Sequence, residues 1–315
     1  MIKTAEFVSP KHPDKICDFI ADSILDAYLA GDIESRVAIE VMGGHSLVTI
    51  NGEVTSHADI NIEELVKSIV GNEYKIISNI VAQSPEISRG VDAGGAGDQG
   101  IMKGYATSKT KEYLPLEYVL ARDLCKKIYE VYPCDGKVQV TIEVESGKYK
   151  VESVVASFQN TKNEELLKLV QGVIKAKEYL INPAGEWVMG GFDSDTGLSG
   201  RKLVIDNYGP EIPIGGGSFS GKDYTKVDRS GAYMARRIAV ELLEKREAKE
   251  VFVRLAYAIG KSEPVMAVAV VDGNEEQITG YDLSPRGIRE YLKLDKVKYA
   301  DTSTWGHFGR GFEWR

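Results

Sequence analysis

The sequence is poor in cysteine, in isolated metal-binding histidine clusters and in uninterrupted apolar runs, and each shortage excludes a class of protein. Three cysteines, Cys17, Cys125 and Cys134, in 315 residues are too few for a disulfide framework and lack metal-ligand spacing, which points to a reducing, cytoplasmic compartment. His45, His57 and His307 share no short spacing with a carboxylate, so no zinc motif is present. No serine-nucleophile motif occurs either. The first residues hold no apolar run of signal-peptide length, and no stretch of about 18 apolar residues suggests a membrane span. A basic excess is also missing: 47 acidic against 39 basic residues give a net charge of -8. That balance argues against non-specific nucleic-acid binding, so an anionic ligand has to meet a local basic cluster.

What is there reads as an ordinary globular chain, 43% hydrophobic and 27% charged, with enough apolar residues for a sizeable core. After His12-Pro13-Asp14-Lys15, the residues Ile16, Ile20, Ile24 and Tyr28 recur at helical spacing, and Pro13 suits a first helical position. SRVAIEVMGG and HSLVTINGEVTSH read as two paired strands, with Asn51-Gly52 as a hairpin dipeptide. Glu63 to Val70 reads as a helix and KIISNIVAQ as a strand leading into the glycine-rich GVDAGGAGDQG. A second set follows: helix EYVLARDLCKKIYEVY, strands KVQVTIEVESG and KYKVESVVASFQ, and helix NEELLKLVQGVIKAKEYL. In the third, GGGSFSGKDYTKVDRS leads to helix SGAYMARRIAVELLEKR and strands EVFVRLAYAIG and PVMAVAVVD. Strands arriving as hairpins favour an α+β architecture over a doubly wound sheet, and the three sets suggest a weak threefold internal similarity.

Four segments carry chemistry. In Gly215 to Arg229, glycines let backbone amides approach an anion, and Lys222, Lys226 and Arg229 offer positive charge to phosphate oxygens; Asp223 and Asp228 are candidate divalent-cation ligands. Gly216 to Lys222 resembles a P-loop, but Asp223 stands where Ser or Thr belongs and the next helix is expected only near Ser230. His12 to Lys15 places an imidazole, a carboxylate and an ammonium at a helix N-terminus, a natural phosphate and metal site. Gly95 to Gly100 embeds Asp98 and Gln99 in glycines, and Asp195 stands shortly before Arg201 and Lys202. Taken singly, each of these segments also fits a solvated cap or a surface turn.

Together HPDK, GAGDQG, GGGSFSGKDYTKVDRS and the late WGHFGR resemble, in order, the signature segments of the methionine adenosyltransferase family. RVAIEV, NGEVTSHADI, QSPEISRGVD, INPAGEWVMGG, DTGLSGRKLVIDNYG and AYAIGKSEP extend the likeness over nearly the whole chain. The resemblance implies three similar α+β subdomains in a pseudo-threefold arrangement, built from discontinuous segments: 1–10 with 109–189, 11–92 with 190–230, and 93–108 with 231–315. It implies synthesis of S-adenosylmethionine from ATP and L-methionine, with magnesium and potassium as cofactors. The active sites would lie between two subunits of a dimer that can pair into a tetramer. By position, His12, Asp14, Lys15, Asp98, Asp135, Lys137, Arg201, Lys202, Lys222, Lys226 and Asp228 would surround ATP and its phosphates, with Asp14 and Asp228 on magnesium. Glu53, Gln83, Asp195, Ile259 and Lys226 would frame methionine, and Glu40 would accompany potassium.

The chemistry implied is attack by the methionine sulfur on C5′ of ATP, followed by hydrolysis of the expelled tripolyphosphate. A thioether sulfur carries no proton, so no general base is needed; the requirement is in-line positioning and cations for the leaving group. His12 would hydrogen-bond the departing oxygen, and Asp98 or Asp195 would face the sulfonium. Three departures from the family pattern stand out. Ser9-Pro10-Lys11 replaces Ser-Glu-Gly, Glu186-Trp187 replaces Arg-Phe, and the loop between Asp92 and Gly95 that gates the site in most members is nearly absent.

Overall fold

The computed structural model describes residues 1–83 and 94–315. Its strands assemble into three four-stranded sheets. The first combines β1 (Ile2–Val8), β6 (Gly136–Glu145), β7 (Lys148–Phe158) and β8 (Glu178–Ile181) in the order β1-β6-β7-β8. The second runs β4 (Lys75–Val81), β3 (Leu47–Thr55), β2 (Arg36–Gly44) and β9 (Gly197–Leu198). The third runs β12 (Asn274–Gln277), β11 (Met266–Val271), β10 (Glu250–Tyr257) and β5 (Gly100–Thr107). Each sheet thus joins strands that are distant in sequence, as the α+β reading expects. Most neighbours are antiparallel, but β3–β4 and β7–β8 pair in parallel.

Each sheet carries one long helix. α1 (Pro13–Gly31) packs on β2 and β9, α3 (Leu116–Val131) on β1 and β6, and α6 (Val227–Arg246) on β5 and β10. The sequence explains these faces. Alternation in β2 buries Val37, Ile39 and Val41, while the helical repeat of α1 buries Ile20, Ile24 and Leu25 against them. Among the described residues there are also shorter helices: α2 (Ile62–Val70), α4 (Asn163–Val173), α5 (Leu203–Asn207), α7 (Pro285–Leu292) and α8 (Ala300–Thr304). Among the described residues no helix is long and apolar enough to cross a membrane.

Three local expectations fail. Asn51-Gly52 is no turn: both residues sit inside β3, and the hairpin turns instead at His45 and Ser46, with φ of 51° and 65°. Gly52 is needed there because a Cβ would lie 2.1 Å from the Ala38 carbonyl oxygen of β2. The helix after Asn163 stops at Val173, and Glu178–Ile181 forms an edge strand instead. Finally, α6 begins at Val227 rather than near Ser230, still five residues after Lys222, so the glycine loop does not hand a phosphate directly to a helix, in keeping with the departure from the P-loop pattern. Of the two residues left where the gate loop is nearly absent, Ala93 lies outside the described residues.

Candidate functional site

Helix α1 enters with Pro13 in its first turn and His12 as its N-cap, whose Nδ1 accepts the Asp14 amide at 3.2 Å. Asp14 is 1% exposed. Its carboxylate accepts the Leu198 amide at 2.9 Å and the Lys202 ammonium at 2.5 Å, with the Arg201 Nε at 3.3 Å. Burial works to raise the Asp14 carboxyl, but the Lys202 and Leu198 hydrogen bonds outweigh it and hold the group below its ordinary value. Burial, with Lys202 second, lowers the His12 imidazole to about 4, so at neutral pH the ring is uncharged. Lys137 and Asp195 also act on that ring. Lys137, the second residue of β6, lies opposite Val8 and 3.5 Å from Glu6, and nearby Asp135 accepts the Gly191 amide at 2.9 Å.

A second lysine–aspartate pair forms at the start of α6. Lys222 Nζ lies 2.6 Å from Asp228, a first-turn residue of that helix. The backbone of Gly217 runs so close that a Cβ would be 2.1 Å from the Asp228 carboxyl carbon. The two basic loops meet at Glu40 on β2, which accepts Ser199 Oγ at 2.6 Å and Ser218 Oγ at 3.4 Å. Asp98 and Ile259 flank the same region: Ala96 and Lys261 pair through their backbones at 2.8 Å, and Gly100 adjoins Asp228. Both Asp98 and Ile259 face solvent.

Other expected site residues lie elsewhere. The Lys15 ammonium turns inward, 1% exposed, onto both oxygens of Asp206 at 2.5 Å and onto the Ser303 carbonyl. Arg229, expected to offer charge to phosphate, is equally buried; it forks onto Asp22 at 2.7 and 2.9 Å and stacks on Tyr299. Lys226 is tied to Asp223, which is wholly buried and accepts the Val37 and Thr225 amides. Glu53 sits on the exposed face of the second sheet opposite Ala38 and Val81, two positions from the Glu40 row. Gln83 has a buried Oε1 without a hydrogen-bond partner among the described residues. Among the described residues, the Asp195 carboxylate accepts its neighbour Thr196's amide.

One arrangement escaped the sequence reading although its signal was there. Asp14, Asp18, Asp22 and Asp26 recur every fourth residue along α1, and each accepts a backbone amide from a segment distant in sequence. Asp14 takes Leu198, Asp18 takes Gly200 at 2.8 Å, Asp22 takes Gly221 at 2.8 Å, and Asp26 takes Tyr299 and Ala300 at 2.7 and 2.9 Å. Burial raises the Asp18 carboxyl to about 7 and that of Asp26 to about 6. Among the described residues no group of three or more His, Cys, Asp or Glu side chains could hold a metal by itself.

Glu186, which stands in place of the family's arginine, caps α4: its carboxylate accepts the Asn163 amide at 3.0 Å and the Lys162 ammonium at 2.7 Å.

Comparison with known proteins places this geometry. Three successive segments match the S-adenosylmethionine synthetase family: residues 1–85 its N-terminal domain, 93–187 its central domain and 189–315 its C-terminal domain. S-adenosylmethionine synthase 2 of Rhodospirillum rubrum is 38% identical, over 99% of this chain and 94% of that protein. The S-adenosylmethionine synthase of Mycoplasmopsis pulmonis is 40% identical, over 98% of this chain and 93% of its own length. A solved structure described as an unusual S-adenosylmethionine synthetase from Campylobacter jejuni superimposes with a TM-score of 0.89 at 33% identity, covering 99% and 96% of the two chains.

Proposed function

Because this chain belongs to the S-adenosylmethionine synthetase family and is a methionine adenosyltransferase, we propose that it acts by attack of the methionine sulfur on C5′ of ATP, expelling tripolyphosphate. The tripolyphosphate is then hydrolysed to phosphate and pyrophosphate. The single observation that carries this reading is the pair of lysine–aspartate couples, Lys202–Asp14 and Lys222–Asp228, on two loops that meet at Glu40. An ammonium beside each carboxylate keeps cationic charge where a polyphosphate leaving group gathers negative charge. Arg201 and Lys137 extend that field, and the neutral His12, whose Nδ1 accepts the Asp14 amide, donates one hydrogen bond from Nε2 to the departing oxygen. Asp98 or Asp195, both solvent-facing here, closes on the sulfonium.

Asp14 and Asp228 offer hard carboxylate oxygens, the donor type that suits magnesium, and too few of them to complete its shell. Phosphate oxygens and waters would supply the remaining ligands. Magnesium bound there supplies charge neutralisation and orientation of the triphosphate. Glu40, with the hydroxyls of Ser199 and Ser218 around it, fits a potassium ion by the same oxygen chemistry. Lys15 has no free valence for phosphate and is assigned a structural role. Lys226 serves through Asp223, at the base of the loop.

Methionine is framed by Glu53, Gln83, Asp195, Ile259 and Lys226 only if a second subunit contributes, since Glu53 and Gln83 do not join the two loops within one chain. The exposed face of the second sheet supports such self-association. Leu198, Met42, Thr49 and Ile77 form one cross-strand row on it, three of them exposed apolar side chains. A homodimer, able to pair into a tetramer, in the cytoplasm completes the reading. The three discontinuous subdomains follow the three sheets, with the limits given from the sequence.

The test incubates the purified protein with ATP, magnesium and potassium, with and without methionine, and follows S-adenosylmethionine, phosphate and pyrophosphate together. Methionine-dependent formation of all three supports the mechanism. Phosphate release without an adenosylated product indicates a phosphohydrolase, and ATP binding without turnover indicates a non-catalytic relative.

A further inference from the structure

We infer that the aspartates spaced along α1 are positioning residues that set the two cationic loops against each other, with Asp18 acting through Gly200 and Asp22 through Gly221. The inference deepens the reading above and rests on it for the identity of the bound anion. Each pinned amide lies just before the basic side chain it would place. Gly200 precedes Arg201 and Lys202, and Gly221 precedes Lys222. A helix rises about 1.5 Å per residue, so carboxylates four apart are about 6 Å apart along one face, a rigid spacing transferred to the loops.

Stability alone does not account for these groups. Asp18 is 2% exposed and makes no direct ion pair among the described residues; it holds an amide and faces the Ser220 hydroxyl, with Lys15 and Asp206 nearby. A buried carboxylate in that setting costs more than an apolar side chain would. What it secures is direction, since a carboxylate fixes the donor it accepts where a methyl group cannot. The second pin is reinforced: Arg229 holds Asp22 and also donates to the Lys222 carbonyl at 3.0 Å.

The test compares Asp18→Ala and Asp18→Asn with the unmodified protein in steady-state kinetics and in calorimetric binding of tripolyphosphate. Asp18→Ala is expected to weaken tripolyphosphate binding about tenfold or more and to raise KM for ATP similarly, leaving KM for methionine within about twofold. Asp18→Asn, which keeps an oxygen for Gly200, is expected to recover most of the loss. Trypsin cleavage after Arg201 and Lys202 in ligand-free protein should speed up in Asp18→Ala and not in Asp18→Asn. Unchanged tripolyphosphate affinity in a folded Asp18→Ala protein, an equal rise in both KM values, or no rescue by asparagine overturns the inference. Should Asp18→Ala fail to fold, Asp18→Glu shifts the carboxylate by one methylene with its charge kept, and unchanged tripolyphosphate affinity there is equally fatal. If the unmodified protein makes no S-adenosylmethionine, the proposed reaction fails, while tripolyphosphate binding and cleavage still report on the loops.

Discussion

Lys15 and Asp206 meet at 2.5 Å where water does not reach, the lysine following directly on Asp14 and the aspartate four residues after Lys202. The pair closes a ring of covalent and ionic links around the proposed magnesium carboxylate. Ser303 on α8 joins through its carbonyl, and His307 donates its amide to the Asp206 carbonyl at 2.8 Å. The C-terminal segment is thereby tied to the entry of α1.

Breaking this pair on one side leaves an uncompensated buried charge. Lys15→Met is therefore expected to destabilise the protein by about 3–5 kcal/mol, and the double change Lys15→Met with Asp206→Leu by less than the single one. Urea denaturation of the three proteins measures this. A single change as mild as a surface substitution would mean that water enters and solvates Asp206.

Lys222 stands in the opposite situation: its ammonium is partly accessible and, among the described residues, pairs with the partly accessible carboxylate of Asp228. Lys222→Ala should lower turnover by about 100-fold or more while thermal unfolding shifts little. Product formation and a melting curve on the same preparation check both halves. Retained activity would remove Lys222 from the proposed leaving-group field.

These two lysines show what the sequence can and cannot disclose. Both lie in glycine- or acid-rich motifs, and residue type alone assigns both to phosphate. The difference is set by Asp206 and Ser303, 191 and 288 residues away from Lys15 in the chain, which no local pattern encodes. The same holds for Arg229, whose partner Asp22 is 207 residues away. Elements were easier: α1, α3 and α6 and the three hairpins follow from periodicity, because one face of each is buried. Asn51-Gly52 misled because hairpin dipeptides report backbone permissiveness, and here the permissive glycine serves a close strand contact. The aspartates of α1 were legible as a four-residue repeat, but a repeat of acids on a mostly apolar face reads as solvated charge until the amides they hold are seen.

Glu186 supplies a further contrast with the family pattern. Because its carboxylate caps α4, Glu186→Ala should speed amide exchange at Asn163 and Glu164 and shift the onset of that helix, leaving KM for ATP within about twofold. Hydrogen exchange by mass spectrometry and steady-state kinetics read the two effects separately. A rise in KM for ATP without a change in exchange would instead put the carboxylate at the nucleotide.

The raised Asp18 carboxyl makes a prediction about pH whose sign can be worked out. Its ordinary value is 3.8, and burial lifts it to about 7 in the folded protein despite Lys15 and the Gly200 amide. Below about pH 4 the group is protonated in both states and costs nothing. Between about pH 4 and pH 7 the unfolded chain ionises while the folded one keeps its proton, so this group's share of stability is lost as pH rises, by about 1.4 kcal/mol per unit. Above about pH 7 both states are ionised and the loss levels off. Asparagine at this position carries no such proton. Asp18→Asn should therefore gain on the unmodified protein as pH is raised through that window and hold a constant difference above it. Urea midpoints for the two proteins, taken across the window, measure the difference directly, and groups common to both, Asp26 among them, cancel to first order. A difference that does not vary with pH would mean that Asp18 is ionised throughout, its charge held by Lys15 and the amide, and the helix would then present a permanent anion beneath the Gly200 loop.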